Sequence, residues 1–166
     1  MGLKLLDERQ IRQKIKRLAI QILENNFGEE EIILAGINNN GMGFAKMIHK
    51  QLKKISSIKF TLTRIKLSPA NPLSTEVTIG LPLEQLENKV IIIVDDVANT
   101  GRTIFYAIKP LLNILPKKIE VAVLVDRQHK SFPVKVDYMG LSLATTLHEN
   151  IDVQILDVEN EAVFLN

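Results

Sequence analysis

The chain has no cysteine, which excludes a disulfide framework, thiolate chemistry and a Cys-built metal site. Its histidines, His49, His129 and His148, have no metal-ligand spacing with one another. No apolar run approaches the ~20 residues that a membrane-spanning helix needs. The opening MGLKLLDERQ turns charged too soon for a signal peptide. A cytoplasmic protein is the default expectation. Charge of one sign is scarce too, and a formal net charge of +2 is too small to argue for nucleic acid by itself. Repeats, low-complexity stretches and linkers are absent. A length of 166 residues suits one domain with a real core, so a single domain over 1–166 is expected.

What the chain does have is concentrated in Lys89 to Thr103, KVIIIVDDVANTGRT. Val90 to Val94 are apolar without interruption and mostly β-branched, the pattern of a strand buried on both faces in a parallel sheet. Two adjacent carboxylates, Asp95 and Asp96, follow at its carboxyl end. Small, turn-prone residues come next, then a helix-like stretch. Ligands of open α/β sheets bind just past the carboxyl ends of strands. Thr100, Gly101, Arg102 and Thr103 offer backbone N–H groups and hydroxyls at a helix N-terminus, where an anion is favoured. Asp95 and Asp96 offer acceptors for sugar hydroxyls. Carboxylates beside a phosphate repel it, so a divalent cation is the expected third party.

The rest of the chain alternates helix and strand. Asp7 is placed to cap a helix whose apolar face is Ile11, Ile15, Leu18 and Ile22, and Asn25 to Gly28 close it. Ile32 to Ile37 reads as a buried strand. Asn38-Asn39-Asn40-Gly41 then turns into a helix with Phe44, Ala45, Ile48 and Leu52 on one face. Ile58 to Ile65 reads as a strand, and Lys66 to Gly80 has loop composition. Ile104 to Leu115 carries helical spacing, but Pro110 inside it predicts a kink or a shortened helix. Ile119 to Val125, Val134 to Met139 and Val153 to Leu156 read as strands, and Ala162 to Phe164 as an edge strand. The fold class is α/β, a mainly parallel central sheet flanked by helices, with a small hood formed by the termini.

The order apolar strand, Asp95-Asp96, small residues, Thr100-Gly101-Arg102-Thr103 resembles the phosphoribosyl diphosphate (PRPP) signature of type I phosphoribosyltransferases, without a gap from Val90 to Thr103. A closer likeness runs over nearly the full length, to the bacterial pyrimidine-operon attenuation regulators that are also uracil phosphoribosyltransferases. It is carried by Ile33 to Ile37, Thr61 to Arg64, Ala122 to Arg127 with His129, and Asp137 to Gly140. The resemblance implies transfer of phosphoribose from PRPP to a nucleobase, with uracil favoured and a purine as a further reading. It implies Asp95, Asp96, Asp126, Arg127 and Arg64 as catalytic residues. PRPP would be held by Asp95, Asp96, Ala98, Asn99, Thr100, Gly101, Arg102, Thr103 and the Asn38, Asn39, Asn40, Gly41 loop. Tyr138, Met139, Gly140 and Leu141, within a segment running to Thr146, would meet the base. Mg2+ would sit on Asp95, Asp96 and Asp126. A homodimer or higher oligomer is implied.

The departures are as specific. The family's diphosphate loop commonly reads Lys-Thr-Arg-Gly, where this chain has Asn38-Asn39-Asn40-Gly41. The family's Tyr-Arg-Asp-Asp is here Thr63-Arg64-Ile65-Lys66. Cations have become amides on the leaving-group side, so slow turnover is expected. The alternative function is a PRPP- or nucleotide-sensing RNA-binding regulator of pyrimidine genes, with Lys50, Lys53, Lys54, Lys117, Lys118 and Lys130 as its basic residues.

Overall fold

The computed structural model describes residues 2–144 and 148–166. Strands β2 (Glu31–Ile37), β3 (Lys59–Lys66), β4 (Thr78–Ile79), β5 (Val90–Ala98), β6 (Lys118–Arg127) and β7 (Tyr138–Leu143) form the main sheet in the order β4-β3-β2-β5-β6-β7. Every pairing in it is parallel except the short β3–β4 contact. A three-stranded antiparallel sheet, β1-β9-β8, forms the hood from β1 (Leu3–Leu6), β8 (Ile151–Gln154) and β9 (Ala162–Leu165). Among the described residues no helix is long and apolar enough to cross a membrane.

The alternation of side chains along each strand divides the core in two. Ile32, Leu34, Val90, Ile92, Val94, Ala122 and Leu124 face helices α1 (Glu8–Asn25) and α2 (Asn38–Ile55). Ile33, Ala35, Ile91, Ile93, Val121 and Val123 face the other side, where α3 (Arg102–Ala107) and the 3–10 turn Lys109–Asn113 cover them. Both faces of β5 are therefore closed, as its unbroken apolar run requires.

Asp7 caps α1 with a capping box. Its Oδ1 accepts the Gln10 N–H at 2.8 Å, and the Gln10 Oε1 accepts the Asp7 N–H at 2.9 Å. Pro110 has the expected effect: α3 stops at Ala107 and the chain continues as the 3–10 turn. Two expectations need correction. The strand placed at Val134 to Met139 begins only at Tyr138 and runs to Leu143. The segment read as an edge, Ala162 to Phe164, is the middle strand of the hood, paired on one side with β1 and on the other with β8. Nothing local marks β9 as central, because its partners lie at distant points of the chain.

Candidate active site

The connection from β2 runs through α2 to β3 on one side, and that from β5 runs through α3 to β6 on the other. The direction of travel therefore reverses between β2 and β5, whose carboxyl ends part to leave a crevice there. It encloses a cavity of about 400 Å³ lined by Ile37, Asn38, Asn39 and Asn40 after β2, and by Asp95, Asp96, Val97, Asn99 and Thr103 after β5. Pro69 and Ile151 complete the lining. That is the size of a small-molecule site.

The two walls are held close by Gly41. A Cβ on this residue would lie 2.5 Å from the Val94 carbonyl oxygen and 3.3 Å from the Asp95 Cα. Only glycine lets the first turn of α2 approach the end of β5 this nearly. The Asn38-Asn39-Asn40 loop and the carboxylate pair thus share one cavity. Asn38, at φ 50°, turns its amide away toward the chain beyond β3. Its Nδ2 donates to the Leu67 carbonyl at 3.0 Å, and its Oδ1 accepts the Leu67 N–H at 3.1 Å.

Asp95 and Asp96 both lie at the cavity wall. Asp95 Oδ1 accepts the Asp96 N–H at 2.9 Å, and Asp96 Oδ1 accepts the Val97 N–H at 2.8 Å. Burial drives the Asp95 carboxyl well above its ordinary range, and the neighbouring Asp96 charge adds to this. Burial likewise raises Asp96, with a further push from Asp152 of the hood. Such a pair lacks positive charge. Hard oxygen donors so placed suit a divalent cation whose remaining ligands come from a substrate.

Beyond the pair, residues 97–104 curl around a hollow of about 50 Å³ formed by Val97, Ala98, Asn99, Thr100, Gly101, Arg102, Thr103 and Ile104. Gly101, at φ 88°, opens α3, and no side chain caps that helix start. Its first N–H groups are available to an anion. The Thr100 carbonyl accepts the N–H groups of Ser131 and Phe132, which fixes the loop from outside. The Thr100 hydroxyl makes a long 3.3 Å contact with the Arg102 N–H.

Other expected site residues are placed differently. The Arg102 guanidinium donates to the Pro69 carbonyl at 2.7 Å. Arg64 lines a second cavity, of about 410 Å³, with Asn38, Asn39, Lys66, Leu67, Ser68, Thr75 and Glu76. Asp126 does not join Asp95 and Asp96. It forms an ion pair with Lys130 at 2.5 Å, and the same ammonium also meets the Arg127 carbonyl. Among the described residues no cluster of three acidic or histidine side chains could hold a metal. Arg127 is buried, and its guanidinium donates to the Glu149 carbonyl at 2.6 Å, so it braces the approach to the hood.

The residues expected on the base side all lie along β7. Tyr138 is 1% exposed and pairs with Ala122, level with Val94 of β5. Its hydroxyl donates to Glu120 at 2.8 Å, and Asn26 donates to it at 3.3 Å. Met139 packs into the core on the α3 face, and a Cβ on Gly140 would lie 2.7 Å from the Leu124 carbonyl. Leu141 pairs with Val125 and packs beneath the hood. The carboxyl end of β7 is reached only at Ser142 and Leu143, opposite Asp126 and Arg127. Thr145 and Thr146 of the expected base segment lie outside the described residues. The hood residue that does line the cavity is Ile151, which sequence reasoning missed because the strand had been read from Val153 onward.

A doubly wound sheet with paired carboxylates and a glycine-opened loop at its switch point defines an α/β protein with its crevice at the carboxyl ends of the strands. The chain matches the phosphoribosyl transferase domain over residues 2–158, and it belongs to that family. It is 31% identical to the Bifunctional protein PyrR of Pediococcus pentosaceus, over 99% of this chain and 98% of that one. It is 35% identical to the Bifunctional protein PyrR of Clostridioides difficile, over 95% and 93%. Its fold is similar to a hypoxanthine-guanine phosphoribosyltransferase from Bacillus anthracis, with a TM-score of 0.76, 23% identity, and coverage of 95% and 91%.

Proposed function

We propose that this protein, acting as one domain over residues 1–166, transfers phosphoribose from PRPP to a nitrogen of uracil and releases diphosphate. The observation that carries this is the convergence of Asp95, Asp96 and the 97–104 loop on the crevice between β2 and β5. The carboxylates accept the ribose hydroxyls, and the loop's N–H groups seat the 5′-phosphate. Asp95 and Asp96 would hold Mg2+ together with oxygens of PRPP, and the ion would supply positive charge to the diphosphate side. As the bond from C1 to diphosphate breaks, the base nitrogen forms its own bond to C1. The chain contributes position and electrostatics rather than a covalent intermediate. Ile37 and Ile151 line the cavity with apolar surface and limit water at the cation-like sugar.

The leaving-group side is weak. Neutral amides donate bonds about half as strong as charged ones, and Asn38 already spends its amide on Leu67. Turnover is therefore slow. Diphosphate release from PRPP with Mg2+, followed with uracil, hypoxanthine and guanine in turn, tests the reading. Release with uracil alone is expected. Release with a purine but not uracil, or no calorimetric binding of PRPP, would defeat it.

A second reading, an RNA-binding regulator of pyrimidine genes, is favoured by two observations: the relatives are named bifunctional, and the diphosphate loop lacks cations. Lys117 pairs with Glu29 at 2.6 Å, Lys118 with Glu120 at 3.7 Å, and Lys130 with Asp126. Exposed Lys50, Lys53 and Lys54 on α2 are then the better RNA contacts. Filter binding to pyrimidine-gene leader RNA should weaken steeply with salt and with their replacement by Gln. Equal, weak binding to any RNA would leave a plain enzyme. The protein is proposed to form a homodimer, which sedimentation equilibrium can check.

A further inference from the structure

The segment from Leu67 to Val77, between β3 and β4, is tied to the rest of the site at neighbouring points by residues from opposite walls. Asn38, from the β2 wall, makes both available hydrogen bonds to the Leu67 backbone, one as donor and one as acceptor. Arg102, from the β5 wall, reaches across to the Pro69 carbonyl at 2.7 Å and toward the Ala70 carbonyl at 3.5 Å. Between these ties, Pro69 is carried into the wall of the cavity that holds Asp95 and Asp96. Leu67 and Ser68 face the other way, into the cavity that holds Arg64 and Lys66. Asn38 and Asn39 line both.

We infer that Asn38 and Arg102 are positioning residues that strap the 67–77 loop across the mouth of the PRPP crevice, with Asn38 as hinge pin and Arg102 as latch. The ties differ in kind. Asn38 matches a backbone N–H and C=O as a neighbouring strand would, so it fixes where the loop leaves β3. Arg102 presents a charged donor to a neutral carbonyl, a bond stronger than a neutral pair, from a side chain that is itself exposed. Beyond the ties the loop is held at its ends by buried Leu67 and Val77, at buried Pro72, and by short turns: Ser74 N–H to the Asn71 carbonyl at 3.0 Å, the Ser74 hydroxyl to the same carbonyl at 2.8 Å, and Leu73 N–H to the Asn71 side chain at 3.3 Å. Pro69 itself is exposed, and the bond from Arg102 is the one that meets it. The strap explains why an amide stands at position 38. A lysine has no acceptor for the Leu67 N–H.

The role on PRPP rests on the proposed transferase reading, and the strap itself does not. Amide hydrogen exchange is measured by NMR on the wild type, Asn38→Ala, Arg102→Gln and Arg102→Lys. Exchange of the Leu67 amide should quicken on the order of tenfold in Asn38→Ala. Exchange of Leu73 and Ser74 should quicken in Asn38→Ala and Arg102→Gln, and Arg102→Lys should recover part of the protection. Arg102→Gln should also raise the KM for PRPP several-fold, and Arg102→Lys should recover part of that loss. Wild-type exchange rates in both Asn38→Ala and Arg102→Gln would overturn the strap. Faster exchange with an unchanged KM would overturn its positioning role. If the wild type neither turns over nor binds PRPP, the transferase reading fails and the exchange rates alone decide the strap.

Discussion

The Asp95 carboxylate is folded back onto the backbone of Asp96, whose N–H it accepts at 2.9 Å. The two acids thereby share a wall of one cavity with nothing basic between them, a poor arrangement for stability and a good one for ribose hydroxyls and a cation.

Replacing Asp95 and Asp96 together by Asn should abolish PRPP binding while preserving the fold. Each charge-assisted bond to a hydroxyl contributes about 1.5–3 kcal/mol, so affinity should drop on the order of a hundredfold or more by calorimetry. Asn can still accept the Asp96 N–H through its side-chain oxygen. Relief of the buried charges should raise Tm at neutral pH by a few degrees, at about 2–4 °C per kcal/mol. An unchanged PRPP affinity would remove the pair from the site.

The pH dependence follows from the direction of the shifts. Both carboxyls are raised above their ordinary value near 3.8. The folded chain therefore holds protons that the unfolded chain has released. The pair's contribution to stability is greatest below that value and is lost as pH rises through the raised range. Urea unfolding between pH 4 and 7 should show the wild type losing ground to the Asp95→Asn, Asp96→Asn variant as pH increases. PRPP with Mg2+ should bind more tightly over the same rise, because the ionised pair is the binding form. A pH-independent difference between the two proteins would contradict this.

Cations can be restored to the diphosphate loop only where side chains are not already committed. Asn38 holds Leu67, so Asn39→Lys with Asn40→Arg is the informative change. Turnover of uracil with PRPP should increase about tenfold or more, against the hundred- to thousandfold typical for a whole electrostatic donor. No increase in kcat would show that another cation, such as Arg64 or Lys66 from the adjoining cavity, already serves the leaving group.

Tyr138→Phe separates a core role from a site role. The hydroxyl meets buried Glu120 and Asn26, so its loss should cost about 1–3 kcal/mol in urea unfolding. The KM for the base should not move. A changed base KM would return Tyr138 to the site.

What could be read from the sequence was what neighbours in sequence settle among themselves. Val90 to Val94, Asp95-Asp96 and Thr100 to Thr103 are contiguous, and their strand, turn and helix start follow from local chemistry. Tyr138 was misplaced by burial rather than by register. Pairing with Ala122 puts Tyr138 level with Val94, one residue before Asp95, but its side chain is buried and its hydroxyl is spent on Glu120 and Asn26. Ile151 reaches the cavity only through the antiparallel pairing of β8 with β9, which no local pattern announces. The Asn38–Leu67 and Arg102–Pro69 bonds join residues 29 and 33 apart in sequence, so the commitment of both side chains to the loop was invisible beforehand.

The hood sets a schedule for the growing polypeptide. Leu3 of β1 pairs with Leu165 of β9, and β9 alone links β1 to β8. At a synthesis rate of about 5–20 residues per second, β1 waits roughly 8 to 30 seconds for its partner to be made. In that interval β2, β5 and the anion loop can already assemble behind the ribosome. A nascent chain so assembled has the Asp95-Asp96 wall of the cavity before it has Ile151 to complete the lining.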